Sequence, residues 1–93
     1  MILSFKNSVA KAVFEGRFIK GFPNELARVA ARKLEQIDVV NSVAELRVPP
    51  GNRLEAPGGD RKGQFGIRIN EQWRVCFTFS GGHARGVGVV DYH

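Results

Sequence analysis

The chain has 93 residues, 43% of them hydrophobic and 25% charged, which fits one small globular domain over 1–93 and excludes a disordered chain. Fourteen Lys and Arg against nine Asp and Glu give a net charge of +5, which points to a polyanionic partner, although ordinary solubility also accommodates it. One cysteine and two histidines exclude an internal disulfide and a zinc-ligand spacing, and no apolar run reaches signal-peptide or membrane-span length.

A cytoplasmic protein without cofactor, metal or membrane contact is therefore expected. So short a chain has room for a shallow groove, not for a deep cavity beside its core.

In chain order, "ILSF" is short, apolar and β-prone and predicts a first strand. Asn7 caps a short helix through "SVAKAVFE", ended by Gly16. From Asn24 to Val40, Leu26, Val29, Ala30, Leu34, Ile37 and Val40 recur at spacings of three and four, while Arg28, Arg32, Glu35 and Asp38 fall on the other side. That is an amphipathic helix opened by Pro23 and Asn24, its stripe facing the core. "SVAELR" offers one more turn, with Ser42 and Glu45 as a capping box, and "PPGN" ends helical structure.

The period then changes to two. Phe65, Ile67 and Ile69 alternate with Gln64, Gly66 and Arg68; Trp73, Val75, Phe77 and Phe79 alternate with Arg74, Cys76 and Thr78; "ARGVGVVDY" follows the turn "SGGH". These are strands of an antiparallel meander, so the fold class is α+β, with an N-terminal strand and helices covering one face of a small sheet. Cys76 is expected as a small buried hydrophobe.

With "NEQ" as a three-residue turn, Ile69 faces Trp73, Ile67 faces Val75 and Phe65 faces Phe77, all on the core side. The same register sets Arg68 opposite Arg74 on the uncovered side. Like charges in that position destabilise a sheet, whereas two guanidinium forks suit a phosphate. The alternative is plain surface ion pairing with Asp60, Glu55 or Glu71. If Val87 and Val89 share the core face, Val90 and Tyr92 join the arginine face, which requires a loop or bulge at "SGGHA". Then "DYH" (Asp91, Tyr92, His93) lies beside Arg74, with Tyr92 and His93 suited to proton transfer and Asp91, one residue out of phase, to orientation. The alternative is a packed Tyr92 and a frayed His93.

"AVFEG", the helix after "FPNEL", "LRVPPGNRLEAPGGDRKGQFGIRINEQWRVCF" and the final "VDYH" together resemble the HigB branch of the RelE/ParE toxin superfamily over nearly the whole chain. The resemblance implies a RelE-like fold and a type II toxin. Its activity is that of a ribosome-dependent, metal-independent endoribonuclease (an mRNA interferase), which cuts mRNA in the ribosomal A site and stops translation. It implies a HigA-like helix-turn-helix antitoxin as partner, with DNA reached only through that complex.

It also implies Arg74, Asp91, Tyr92 and His93 as catalytic residues and Arg68 as an RNA contact. Arg53, Arg61 and Lys62 are further candidates for RNA phosphate. Where some relatives carry a catalytic histidine before "GDR", this chain has Glu55, and Gly58 stands where a lysine can occur. So either Glu55 acts as base or Tyr92 and His93 carry the proton transfers. The rival functions are a ParE-like non-catalytic inhibitor of DNA gyrase and a basic RNA- or ribosome-binding module. Against the latter, the aromatics fall on the predicted core face and leave no stacking platform.

Overall fold

A computed structural model describes residues 1–56 and 63–91. The elements are α1 (Ser8–Phe14), α2 (Asn24–Val39), two 3-10 turns (Val43–Arg47 and Pro50–Asn52), β1 (Gln64–Arg68), β2 (Trp73–Ser80) and β3 (His83–Asp91). The strands form an antiparallel sheet in the order β1-β2-β3, and the helices pack on one face. This is the expected α+β arrangement.

Asn7 does more than cap α1. Its Oδ1 accepts the Ala10 amide at 3.0 Å, while its Nδ2 donates to the Val89 carbonyl at 2.9 Å. The cap thus ties the helix to β3. In α2 the stripe is as expected: Ala30, Leu34, Ile37 and Val40 are buried, and Leu26 and Val29 pack against the same core. Asp38, assigned to the solvent side, instead accepts the Ile2 amide at 2.8 Å, because the edge segment passes over that end of the helix. Ser42 and Glu45 form the capping box. After it, "PPGN" still makes one 3-10 turn, since a proline at the first position costs a helix no hydrogen bond.

The "ILSF" strand is reduced to two isolated parallel bridges along the free edge of β3, Ile2 to Ala84 and Phe5 to Val87. The first hairpin has the expected register, with Ile67 opposite Val75, Phe65 opposite Phe77 and Arg68 opposite Arg74. The second hairpin turns at Gly81 and Gly82, both at positive φ, as a tight two-residue connection demands.

The register irregularity that brings Val87 and Val89 inward was expected at "SGGHA"; it lies just beyond, at Gly86. Thr78 pairs with Arg85 and Cys76 with Gly88, so β3 carries an extra residue there. Gly86 has φ of +61°, the left-handed conformation of a glycine bulge, and its amide donates to Ser4 Oγ at 2.9 Å. The bulge lets Ala84 and Val87 both point into the core.

Candidate active site

On the sheet face away from the helices lies a groove of about 940 Å³. Its floor is the row of Gly66 and Cys76, paired across β1 and β2. Arg74 and Val90 flank the row on one side, Thr78 and Arg85 on the other; Glu55 and Lys6 stand at the two sheet edges. Cys76 is accordingly half-buried in the groove rather than a core residue, because strand alternation gives it the face of Arg74.

Glu55 is built into the site by its backbone. Its amide and carbonyl both bond to Gly66, at 2.9 Å each, on the outer edge of β1. From there its carboxylate reaches Arg74, whose Nη2 donates to Oε1 at 2.9 Å. Gly66 keeps that path open: a Cβ there would lie 3.7 Å from Arg74 Nη1, so a longer side chain would displace the guanidinium. Arg74 is only 8% exposed, while the Glu55 side chain is 54% exposed. The pair therefore presents a fixed positive group at the groove wall, with its counter-charge on the solvent side.

Arg68 stands opposite Arg74 as the register requires, but its Nη2 lies 3.9 Å from Glu71 Oε1 at the hairpin turn. The two arginines therefore hold different carboxylates, which is how the sheet tolerates like charges in direct opposition. Both carboxylates are among those expected for surface pairing, yet only Arg68 makes an ordinary half-exposed pair; Arg74 is buried. Arg53 is exposed at the end of the second 3-10 turn, with φ of +46°, and does not line the groove.

Val90 lies on the arginine face, opposite Arg74. Asp91 pairs with Trp73 on the other face and accepts from Gln72 Nε2 at 3.1 Å, so it is out of phase with Arg74, as its position in the strand implied. Tyr92, His93, Arg61 and Lys62 lie outside the described residues. Two groove cations, Lys6 and Arg85, had no signal in the sequence. Lys6 arrives from the edge segment, and Arg85 faces outward because the hairpin register sets it opposite Thr78, while the bulge that follows at Gly86 returns Val87 to the core. Among the described residues, no three His, Cys, Asp or Glu side chains gather as a metal site, and no helix is long and apolar enough to cross a membrane.

Comparison with known proteins agrees with the motif resemblance. A family model described as the RelE-like toxin of type II toxin-antitoxin system HigB matches residues 3–93. Toxin HigB-1 of Vibrio cholerae serotype O1 is 35% identical over 85 residues, 90% of either chain. Endoribonuclease HigB of Proteus vulgaris is 32% identical over 93 residues, the whole of both chains. The sheet, the helices on one face and these matches agree: the chain belongs to the HigB-like family of RelE-like toxins, whose type II systems pair each toxin with an antitoxin.

Proposed function

We propose that this toxin is a metal-independent endoribonuclease that cuts mRNA in the ribosomal A site, acts in the cytoplasm and is neutralised by a HigA-like helix-turn-helix antitoxin. DNA is contacted only through the antitoxin complex. The observation that carries the reading is the buried Arg74, fixed by Glu55 at the wall of a groove on the uncovered sheet face. The printed name of the Proteus vulgaris relative, an endoribonuclease, supports the same chemistry.

Cleavage joins the 2′-oxygen of one nucleotide to the adjacent phosphorus and breaks the bond to the 5′-oxygen. A proton leaves the 2′-hydroxyl and another reaches the departing 5′-oxygen, while negative charge gathers on the phosphate. Arg74 suits that charge: it is held in place before the reaction, where water is largely excluded, so little reorganisation is needed. Glu55, already engaged by Arg74, is assigned to orienting the guanidinium rather than to taking the proton. Tyr92 and His93, the residues that follow Asp91, are assigned the proton transfers, and Asp91 an orienting role. Arg53, Arg61, Lys62 and Arg68 are assigned to RNA phosphates around this centre. The ribosome supplies substrate orientation that a shallow groove lacks.

The test is mRNA cleavage in a reconstituted translation system together with growth inhibition in cells. Arg74→Ala is expected to lower cleavage about a hundred- to a thousandfold, the scale of one lost charge-stabilising donor. Tyr92→Phe should lower the rate with ribosome binding unchanged. His93→Gln should flatten the pH dependence between about pH 6 and 8, where an ordinary histidine titrates. Undiminished cleavage by Arg74→Ala would sink the reading.

A further inference from the structure

The groove carries two cations to which the chemistry above gives no task. Lys6 and Arg85 are both exposed, both line the groove, and no carboxylate pairs with either among the described residues. Among the described residues, the one carboxylate lining the groove, Glu55, is already engaged by Arg74.

Their placement is set by the backbone. Arg85 sits opposite Thr78, four residues along β2 from Arg74, which is about 13 Å at roughly 3.3 Å per residue. The two guanidinium groups also diverge. That of Arg74 is drawn to Glu55 beside Gly66, and Nη1 of Arg85 lies 3.5 Å from Ser80 Oγ, at the far end of β2. One phosphate does not satisfy both. Lys6 stands between these levels at the sheet edge, where its Cβ is 3.4 Å from the position a Cβ on Gly88 would take. Its backbone is fixed there by the hydrogen bond from its amide to the Val87 carbonyl, at 2.8 Å.

We propose that Arg85 and Lys6 are substrate-positioning residues. They hold backbone phosphates of the single-stranded RNA next to the one at Arg74, on the Arg85 side, and so fix which phosphate reaches Arg74. The inference rests on the nuclease reading of the groove. It explains why the bulge at Gly86 matters beyond packing: without the extra residue, a β3 that kept Val87 inward would turn Arg85 inward as well.

The experiment is fluorescence-anisotropy titration of a short single-stranded RNA, blocked against cleavage by 2′-O-methylation, over a series of salt concentrations. Lys6→Ala and Arg85→Ala should each weaken binding about three- to tenfold at low salt. Each should also lower the slope of log affinity against log salt by about 0.7, the signature of one lost phosphate contact on a single strand. Arg85→Lys should keep the wild-type slope, and Arg28→Ala, a cation on α2 outside this groove, should change neither quantity.

Lys6→Ala and Arg85→Ala binding like Arg28→Ala, or a wild-type protein that does not bind the RNA at low salt, would overturn the proposal. The cleavage assay separates this failure from that of the underlying reading. Loss of cleavage in Arg74→Ala with normal RNA binding by Lys6→Ala and Arg85→Ala refutes only the positioning role. Full cleavage by Arg74→Ala refutes the nuclease itself.

Discussion

An arginine withdrawn from water is costly unless a carboxylate and hydrogen bonds accompany it. Arg74 has Glu55 at 2.9 Å, and its aliphatic stem is packed within the sheet face at 8% exposure. Relief of the like charge on Arg68 would by itself make Arg74→Ala neutral or stabilising. Burial reverses that expectation. The substitution removes packed carbon and a charge-assisted hydrogen bond, at a cost of about 1–3 kcal/mol, kept from being larger because Glu55 is half exposed and rehydrates. Arg74→Met retains the stem and should recover much of that loss without recovering cleavage. Chemical denaturation of both variants beside the cleavage assay checks this. Equal stability of Arg74→Ala and wild type would mean that the buried pair contributes nothing net.

Among the elements, β3 carries the most decisions. It pairs with β2 on one edge and with the segment around residues 2–6 on the other, and it changes register between the two ends. Gly86 makes this feasible. Nothing lies within 4 Å of a Cβ built there, so the obstacle to a side chain is its φ of +61° and not space. Gly86→Ala should therefore fold, with a loss of about 1–2 kcal/mol from the left-handed conformation, and Gly86→Asn should lose less. Deleting Gly86 is a different change. It forces either Arg85 or Val87 onto the wrong face and should abolish cooperative thermal unfolding. A deletion variant that melts like wild type would show that the bulge is not what sets the register.

For the molecule as a whole, the +5 charge has a shape: Lys6, Arg74 and Arg85 line one groove, with Glu55 as its one carboxylate among the described residues. Opposite the site, α2 is bolted to the 3-10 turns by Asn52, which is fully buried. Its Nδ2 donates to Gln36 Oε1 and the Leu46 carbonyl, at 3.0 Å each, and its Oδ1 accepts from Lys33 Nζ. Burial, and then the neighbouring Arg32 charge, hold Lys33 below the ordinary lysine value of 10.5. In the window between its lowered folded value and 10.5 the unfolded chain binds more protons than the folded one. Stability therefore rises with pH across that window, as the cost of the charged Lys33 disappears. Relative to Lys33→Gln, the wild type should gain stability as the pH rises toward 10.5 in urea titrations, where an ordinary lysine still holds its proton. A difference that stays flat, or shrinks, would contradict the assigned cause.

Local chemistry alone determined a good part of this protein. The cap at Asn7, the stripe of α2, the Ser42–Glu45 box and the alternation of β1 and β2 each depend on residues close in the chain, and all appear in the structure. Even the Arg68–Arg74 opposition follows from one turn length and the period of a strand. The motifs around "GDR" and "DYH" carried the family, which the matched relatives bear out. Long-range packing decided the rest. That Glu55 reaches Arg74 depends on a bridge to Gly66 on the far edge of β1. That Asp38 serves the Ile2 amide, 36 residues away, and that Asn52 is a buried hub, depend on which surfaces meet once the helices dock. Lys6 enters the groove through an edge pairing, and Arg85 through its place opposite Thr78, just ahead of the one-residue bulge that returns Val87 to the core. A period of two in the sequence reports which faces alternate; where the alternation slips is settled only when the hydrophobic residues of β3 must meet a core already filled by α1 and α2.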